Sequence, residues 1–369
     1  MEEKEAKNPT DIIYGRLGSD LSCQSDDEMN ELKPVEVIVE KMDNIINVIN
    51  QNMMVGEHFT DISKLNVDNS FILISNHIHP SMRSSFVTKF NRYEDIPNNV
   101  SNYLNPHHGL ANSLAIRNQS EDSLTRIFVG FDSGHILMFD SKLSLLSTKQ
   151  FGHNIITKIA LSPQQKQERL VCGDQDGRLV LIDVDKDMES ISYYDNAHSD
   201  PINDLVFCSN GCDNKIITAG GDNSILLWDF RISRTDRPAL AVAQVNSQPT
   251  ALDWPAENEL TFGTEAGNLV RLDLRNSDKV LQKLSLFNNQ DELDDMNVVQ
   301  IRPVRQNLIC VLTAHQHWLF ERQNLDKIID NYSEYSERVY LKSCLAIDDT
   351  DLLIIGNNFN CFRYPKILL

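Results

Sequence analysis

His198, Thr218 and Asp222 are the residues whose types first suggest chemistry. An imidazole, a hydroxyl and a carboxylate can serve as a base, a nucleophile and the group that orients the base. Thr218, however, lies within a strand-like run, and the spacing of the three belongs to a repeat, so a structural role is the better reading. His77, His79, His107 and His108 come nearest to a metal cluster. They read as lying in two loops with no Cys close by, whereas structural zinc sites usually include one. Cys208 and Cys212 have no partner pair and are read as flanking a turn. Asp291, Glu292, Asp294 and Asp295 would need a shaped, partly dry pocket to act as an acid–base pair. The polar stretch 288–295 reads instead as a solvated acidic loop. There is no phosphate-binding Gly-rich loop and no Gly-x-Ser-x-Gly elbow. No catalytic residue, metal or cofactor is expected.

The elements around His198 explain its spacing. The stretch 195–231 holds three short apolar runs, at 202–207, 215–219 and 225–228. Each is bounded by Asn, Asp, Ser or Gly, the residues of tight turns. Ala197-His198 opens the stretch and Trp228-Asp229 closes it. A His near the start and a Trp-Asp pair ~30 residues on resemble a WD40 repeat. The resemblance implies that His198, Thr218, Asp222 and Trp228 form a buried structural tetrad. Asp222 would accept from the ring of His198, whose other nitrogen would meet the Thr218 hydroxyl, and that hydroxyl would accept from the indole of Trp228. Each buried polar group would then be satisfied.

Weaker copies flank this one. Strand-like runs joined by Ser133-Gly134, Asp176-Gly177 and Ala266-Gly267 end at Asp140, Asp183 and Asp273. Together with Asp229 these ends recur at ~45 residues, the period of a propeller blade. The copy from Gly152-His153 keeps His153 and Asp176 but has Cys172 and Ile182 in the other two places. A sixth copy runs over 298–321 and a seventh over 339–364, the last with three strands. A first blade is read at about 50–90, followed by a long polar loop at 91–108. The expected fold is an all-β, seven-bladed WD40 β-propeller. Residues 1–34 form a disordered acidic tail, with nine acids against four bases. Residues 35–369 form the propeller, closed by an N-terminal strand from 35–39 or 45–49 that supplies the missing fourth strand of the last blade.

The net charge of −19 argues against direct nucleic-acid or anionic-membrane binding and suits basic partners. Seven scattered Cys, several inside apolar runs, read as reduced thiols of the cytosol or nucleus. No signal peptide is read at the start, and no apolar run approaches the ~20 residues of a membrane helix.

The segment 195–231 and its continuation 249–275, with Pro249-Thr250, Leu252-x-Trp254-Pro255 and the turn before Leu269-Val270, resemble the methylosome WD40-repeat subunit family. A fainter likeness runs through 128–139 and 61–90, and the Asn-rich form with its acidic tail is most like a germ-plasm member. The resemblance implies a non-catalytic adaptor that binds the type II protein arginine methyltransferase. It would present Arg-rich substrates such as Sm proteins or histone tails, with a Tudor-domain protein as a further partner. Cytoplasmic, nuclear or germ-granule localisation would follow. In the family a loop of the first blade contacts the enzyme. The matching loop here, 77–85, lacks the family's large aromatics and leaves Met82, Arg83 and Phe86 as contact candidates. A rival reading takes Trp228-Asp229-Phe230-Arg231 as the Trp-Asp-x-Arg pattern of a substrate receptor of cullin-type ubiquitin ligases.

Overall fold

The computed structural model describes residues 57–364 apart from 67, 80–81, 91–99, 106–107, 120–123, 164–167, 209–213, 232–237, 239, 277–279, 288–295, 334–338, 348–350 and 358–360. These belong to one compact unit, Val37–Leu369. They form a seven-bladed β-propeller with no α-helix among the described residues.

Each blade is an antiparallel meander. The first is β1 (Glu57–Lys64), β2 (Phe71–His79), β3 (Met82–Phe90) and β4 (Val100–Asn105), and the second β5 (Ala111–Arg117), β6 (Arg126–Phe131), β7 (His135–Phe139) and β8 (Leu145–Gln150). The third is β9 (Ile156–Leu161), β10 (Arg169–Asp174), β11 (Leu179–Asp183) and β12 (Glu189–Tyr194). The fourth is β13 (Ile202–Phe207), β14 (Lys215–Gly220), β15 (Ser224–Asp229) and β16 (Leu240–Gln244). The fifth is β17 (Pro249–Ala256), β18 (Glu259–Thr264), β19 (Asn268–Asp273) and β20 (Val280–Ser285). The sixth is β21 (Val298–Arg305), β22 (Leu308–Thr313), β23 (His317–Glu321) and β24 (Asn324–Tyr332). The seventh sheet has three described strands, β25 (Leu341–Ala346), β26 (Leu352–Gly356) and β27 (Cys361–Tyr364).

The position of a strand within its blade sets how readable it is. The second strands β6, β10, β14, β18 and β22 are buried along all but their first residue. Neighbouring sheets cover both their faces, so their sequences are mostly apolar rather than alternating. The outer strands are half exposed, as in Glu189–Tyr194 and Val280–Ser285, and carry mixed sequences.

The core lies between blades, not within them. Ile72, Ile74 and Val87 of the first blade pack on Ala111, Leu114 and Ile127 of the second, and similar layers follow around the ring. The ring closes through Phe59, Ile62 and Leu73 against Ile347, Leu353 and Ile355. The Lys64 ammonium adds a charge-assisted hydrogen bond to the Ile347 carbonyl at 2.6 Å.

All seven inner strands carry a β-bulge at one place, leaving Thr60, Asn112, Thr157, Asn203, Thr250, Val299 and Lys342 unpaired. A bulge re-aims its side chain. Thr157 donates to the Ile202 carbonyl at 2.6 Å, Asn203 to Pro249 at 3.0 Å and Thr250 to Val298 at 2.7 Å. Each of these bonds ties one inner strand to the next blade.

Two segments read as loops differ. Residues 77–79 and 82–85 belong to paired strands, in which Ile78 faces Arg83 and His79 faces Met82. Within 91–108, Val100–Asn105 pairs with β3 and makes the fourth strand, so the first blade spans 57–105. Backbone pairing overrides an Asn-rich composition because an outermost strand needs no apolar alternation. The tail at 1–34 and the closing-strand candidates at 35–39 and 45–49 lie outside the described residues.

Candidate functional site

His198 is 4% exposed, held in the turn before β13. Its Nδ1 donates to Asp222 Oδ1 at 3.0 Å, and its Nε2 accepts the Thr218 hydroxyl at 2.8 Å. The same Thr218 oxygen accepts the Trp228 indole N–H at 3.0 Å. Ser224 adds a 2.6 Å bond to Asp222 and stands 3.0 Å from His198 Nδ1. Strand pairing places Thr218 and Trp228 on adjacent strands, β14 and β15. Gly220 makes room for the ring, since a Cβ there would sit 2.1 Å from His198 Nδ1. Burial lowers the His198 pKa against the pull of Asp222, so the ring is neutral at pH 7. Burial works against the Asp222 carboxylate as well, yet the bonds from Ser224 and His198 leave its pKa below the ordinary value. Every polar atom of the set is spoken for, and Thr218 is fully buried, so the hydroxyl has no path to a substrate.

The third blade does not repeat this arrangement. His153 is exposed beside Gln150, and Asp176 bonds to Asn154. Cys172 and Ile182 fill the interior and offer no hydroxyl or indole to receive a ring.

The first-blade candidates lie on β3. Arg83 is exposed, Phe86 is half-buried and Met82 pairs with His79. Strands β2 and β3 have nine residues each, against six and five for β6 and β7, so this hairpin continues past the point where its neighbour turns. Its extension carries exposed Ile78 beside Arg83. Below it lies a clamp that sequence reading missed. Asn76 donates to the Ala111 carbonyl at 2.8 Å, while the Ala111 N–H bonds to Asn76 Oδ1 at 3.0 Å and Ser85 Oγ at 2.8 Å. Ser85 lies 2.6 Å from Asn76 Oδ1. Both residues are buried, so the clamp fixes the hairpin to the second blade. Asn and Ser in a strand carry no local signal for such a role.

The inner strands also gather charge. Lys158 lies 3.3 Å from Asp204, and Arg302 lies 3.8 Å from Asp61. The attraction of Asp204 raises the Lys158 pKa, with Asp61 adding to it. The acids are committed to the scaffold too: Asp204 accepts the Leu252 N–H at 2.8 Å and Asp61 accepts from Ser343 at 2.8 Å.

Among the described residues no three His, Cys, Asp or Glu converge as metal ligands. The His108 ring lies tilted against that of His135, with centroids 4.4 Å apart. His107, Cys212 and the acids at 291–295 lie outside the described residues. Cys172, Cys208, Cys310 and Cys344 are buried. No helix among the described residues is long and apolar enough to cross a membrane.

Residues 190–229, which run from the last strand of the third blade through the first three strands of the fourth and hold the hydrogen-bonded set, match the family described as WD domain, G-beta repeat. The chain is similar to the UBP9-binding protein bun62 of Schizosaccharomyces pombe, 31% identical over 109 residues that cover 25% of this chain and 20% of that protein. It thus spans about a fifth of the length of the curated relative it matches. The fold resembles the WD40 beta propeller domain of Doa1, with a TM-score of 0.61 and 14% identity over 83% of this chain and 92% of that one. The fourth blade therefore carries a WD40 repeat, and the chain has the WD40 β-propeller fold.

Proposed function

We propose that this chain is a non-catalytic adaptor subunit of a protein arginine methyltransferase complex, binding the type II enzyme and presenting Arg-rich substrates such as Sm or histone tails. WD40 propellers generally serve as protein-interaction platforms, and the partner must be argued from the site. The carrying observation is the extended first-blade hairpin, with Ile78 and Arg83 exposed at its outer part and Asn76 and Ser85 clamping its base. A rigid projection ordered before binding loses little entropy on docking. The net charge of −19 favours cationic tails through long-range attraction. The likeness of 195–275 to the methylosome subunit family supports the same reading, although Leu252 and Trp254 within it are buried and belong to the scaffold. The bun62 protein is described as binding UBP9, a use of a related sequence that also consists of holding a partner.

The ubiquitin-ligase reading draws no support from Arg231. Its guanidinium folds back on Asp229, with Nε 2.8 Å from Oδ1, and Arg275 does the same on Asp273 at 2.9 Å. The pair is a recurring strand-end clamp.

Co-expression with a type II arginine methyltransferase should give a complex that survives gel filtration and methylates Sm tails symmetrically. Arg83→Glu should weaken it by about tenfold. Recovery of a cullin adaptor with no methyltransferase would reverse the assignment.

A further inference from the structure

The fourth and fifth blades separate at their outer strands. Between β16 and β20 lies a cleft of about 270 Å³, lined on one side by Ala243 and Val245 and on the other by Phe262, Val270 and Val280. Phe262 is 2% exposed and shares the interblade core with Trp254, so that part of the lining is held rigidly. The next junction is different. There Gln282 bonds to Asn324 at 3.0 Å and accepts the Leu325 N–H at 3.2 Å, which ties β20 to β24. No hydrogen bond joins β16 to β20 among the described residues. Exposed Leu240 and Val280 stand on the two outer strands, at 43% and 51% exposure. Lys283 is the one charged residue of the lining, and it makes no ion pair among the described residues.

We propose that this cleft docks an extended peptide segment of a partner protein, one that places a large aliphatic or aromatic side chain beside a single Asp or Glu. The volume falls just under the ~300 Å³ lower end of small-molecule sites and suits one anchoring side chain, the kind of contact that dominates peptide affinity. Phe262 and Val270 receive that anchor. The adjacent acid meets Lys283, an unpaired cation on a molecule of net charge −19. The same overall field repels further acids, so the rest of the peptide is neutral or basic. The outer strand β16 is the edge of its sheet and leaves one row of backbone groups for a chain lying alongside. This site is distinct from the first-blade hairpin and does not depend on the methyltransferase reading.

The test is selection of a displayed random octapeptide library on the full-length protein, followed by fluorescence anisotropy of the enriched peptides after labelling. The enriched sequences should pair one large apolar residue with one acid. Lys283→Glu should weaken their binding about tenfold, and exchanging the peptide acid for Lys should restore it. Ala243→Trp, which fills the cleft, should weaken binding at least as much, while Arg83→Glu should leave it unchanged. The thermal midpoint of Lys283→Glu should match the wild type because the residue is exposed. If Ala243→Trp misfolds, the Lys283 charge exchange decides. No enrichment, enrichment without the apolar–acid pair, or binding indifferent to Lys283→Glu and its exchange peptide overturns the proposal.

Discussion

Two buried histidines show how residue environment replaces reactivity with stability. His198 is bonded on both ring nitrogens, and Trp228 caps the same hydroxyl. Trp228→Ala removes an almost fully buried indole and leaves Thr218 with one bond fewer. It should lower stability by about 3–5 kcal/mol, read from chemical unfolding. A variant as stable as wild type would show that the set bears no load. His317, 0% exposed in the sixth blade, lies against the rings of Tyr332 and Tyr364. Burial pushes its pKa from 6.5 down to about 3. The folded value is below the unfolded one, so between these limits the unfolded chain takes up a proton that the folded chain refuses. Stability is therefore full above pH 6.5 and falls with decreasing pH, by about 1.4 kcal/mol per unit from this group. Compared with wild type, His317→Phe should flatten the fall of the unfolding free energy between pH 6 and 4. Parallel curves would refute the assignment.

At the scale of the element, each blade is held by what its neighbour presents. Gly173 and Gly263, each next to last in its strand, lie against Ile202 and Val298 of the following blades. A Cβ on Gly263 would meet Val298 Cγ1 at 2.3 Å, backbone-supported and unable to retreat. Gly263→Ala should destabilise by about 1–3 kcal/mol through overpacking. Val298→Ala in the same chain should recover part of that loss, a favourable coupling in a double-mutant cycle. The bulge bonds act similarly. Thr250→Val keeps the shape but deletes the 2.7 Å bond to the Val298 carbonyl, and about 1–3 kcal/mol should go with it. Only the 77–85 end of the long first-blade hairpin reads as a loop, because His, Asn, Ser and Pro are frequent there. Its pairing depends on β1 and β4 beside it and on the second blade beneath, none of which is local information.

For the molecule as a whole, the seventh sheet leaves β27 with one described partner, β26. Each of the other six described sheets has four strands, and a sheet edge in a closed ring is a liability unless a further strand covers it. We infer that a segment at 35–39 or 45–49 covers it. Removing residues 1–34 should then leave the thermal midpoint unchanged, and removing 1–50 should lower it by several degrees and promote aggregation. Equal midpoints for the two truncations would exclude closure by these segments.

The sequence by itself determined the blade period, the turn positions and the members of the His198 set. These features are local: strands of fixed length, Gly at positive φ in the turns at Gly134, Gly177 and Gly267, and a buried second strand that is mostly apolar. Only the tertiary structure decided the outer strands, the Asn76–Ser85 clamp, the exposed position of His153 and the cleft between the fourth and fifth blades. Each depends on how one sheet lies against the next, through contacts between residues some 10 to 50 positions apart in the chain. A polar side chain in a strand reads the same whether it faces water or a neighbouring blade's carbonyl. Packing alone separates the two.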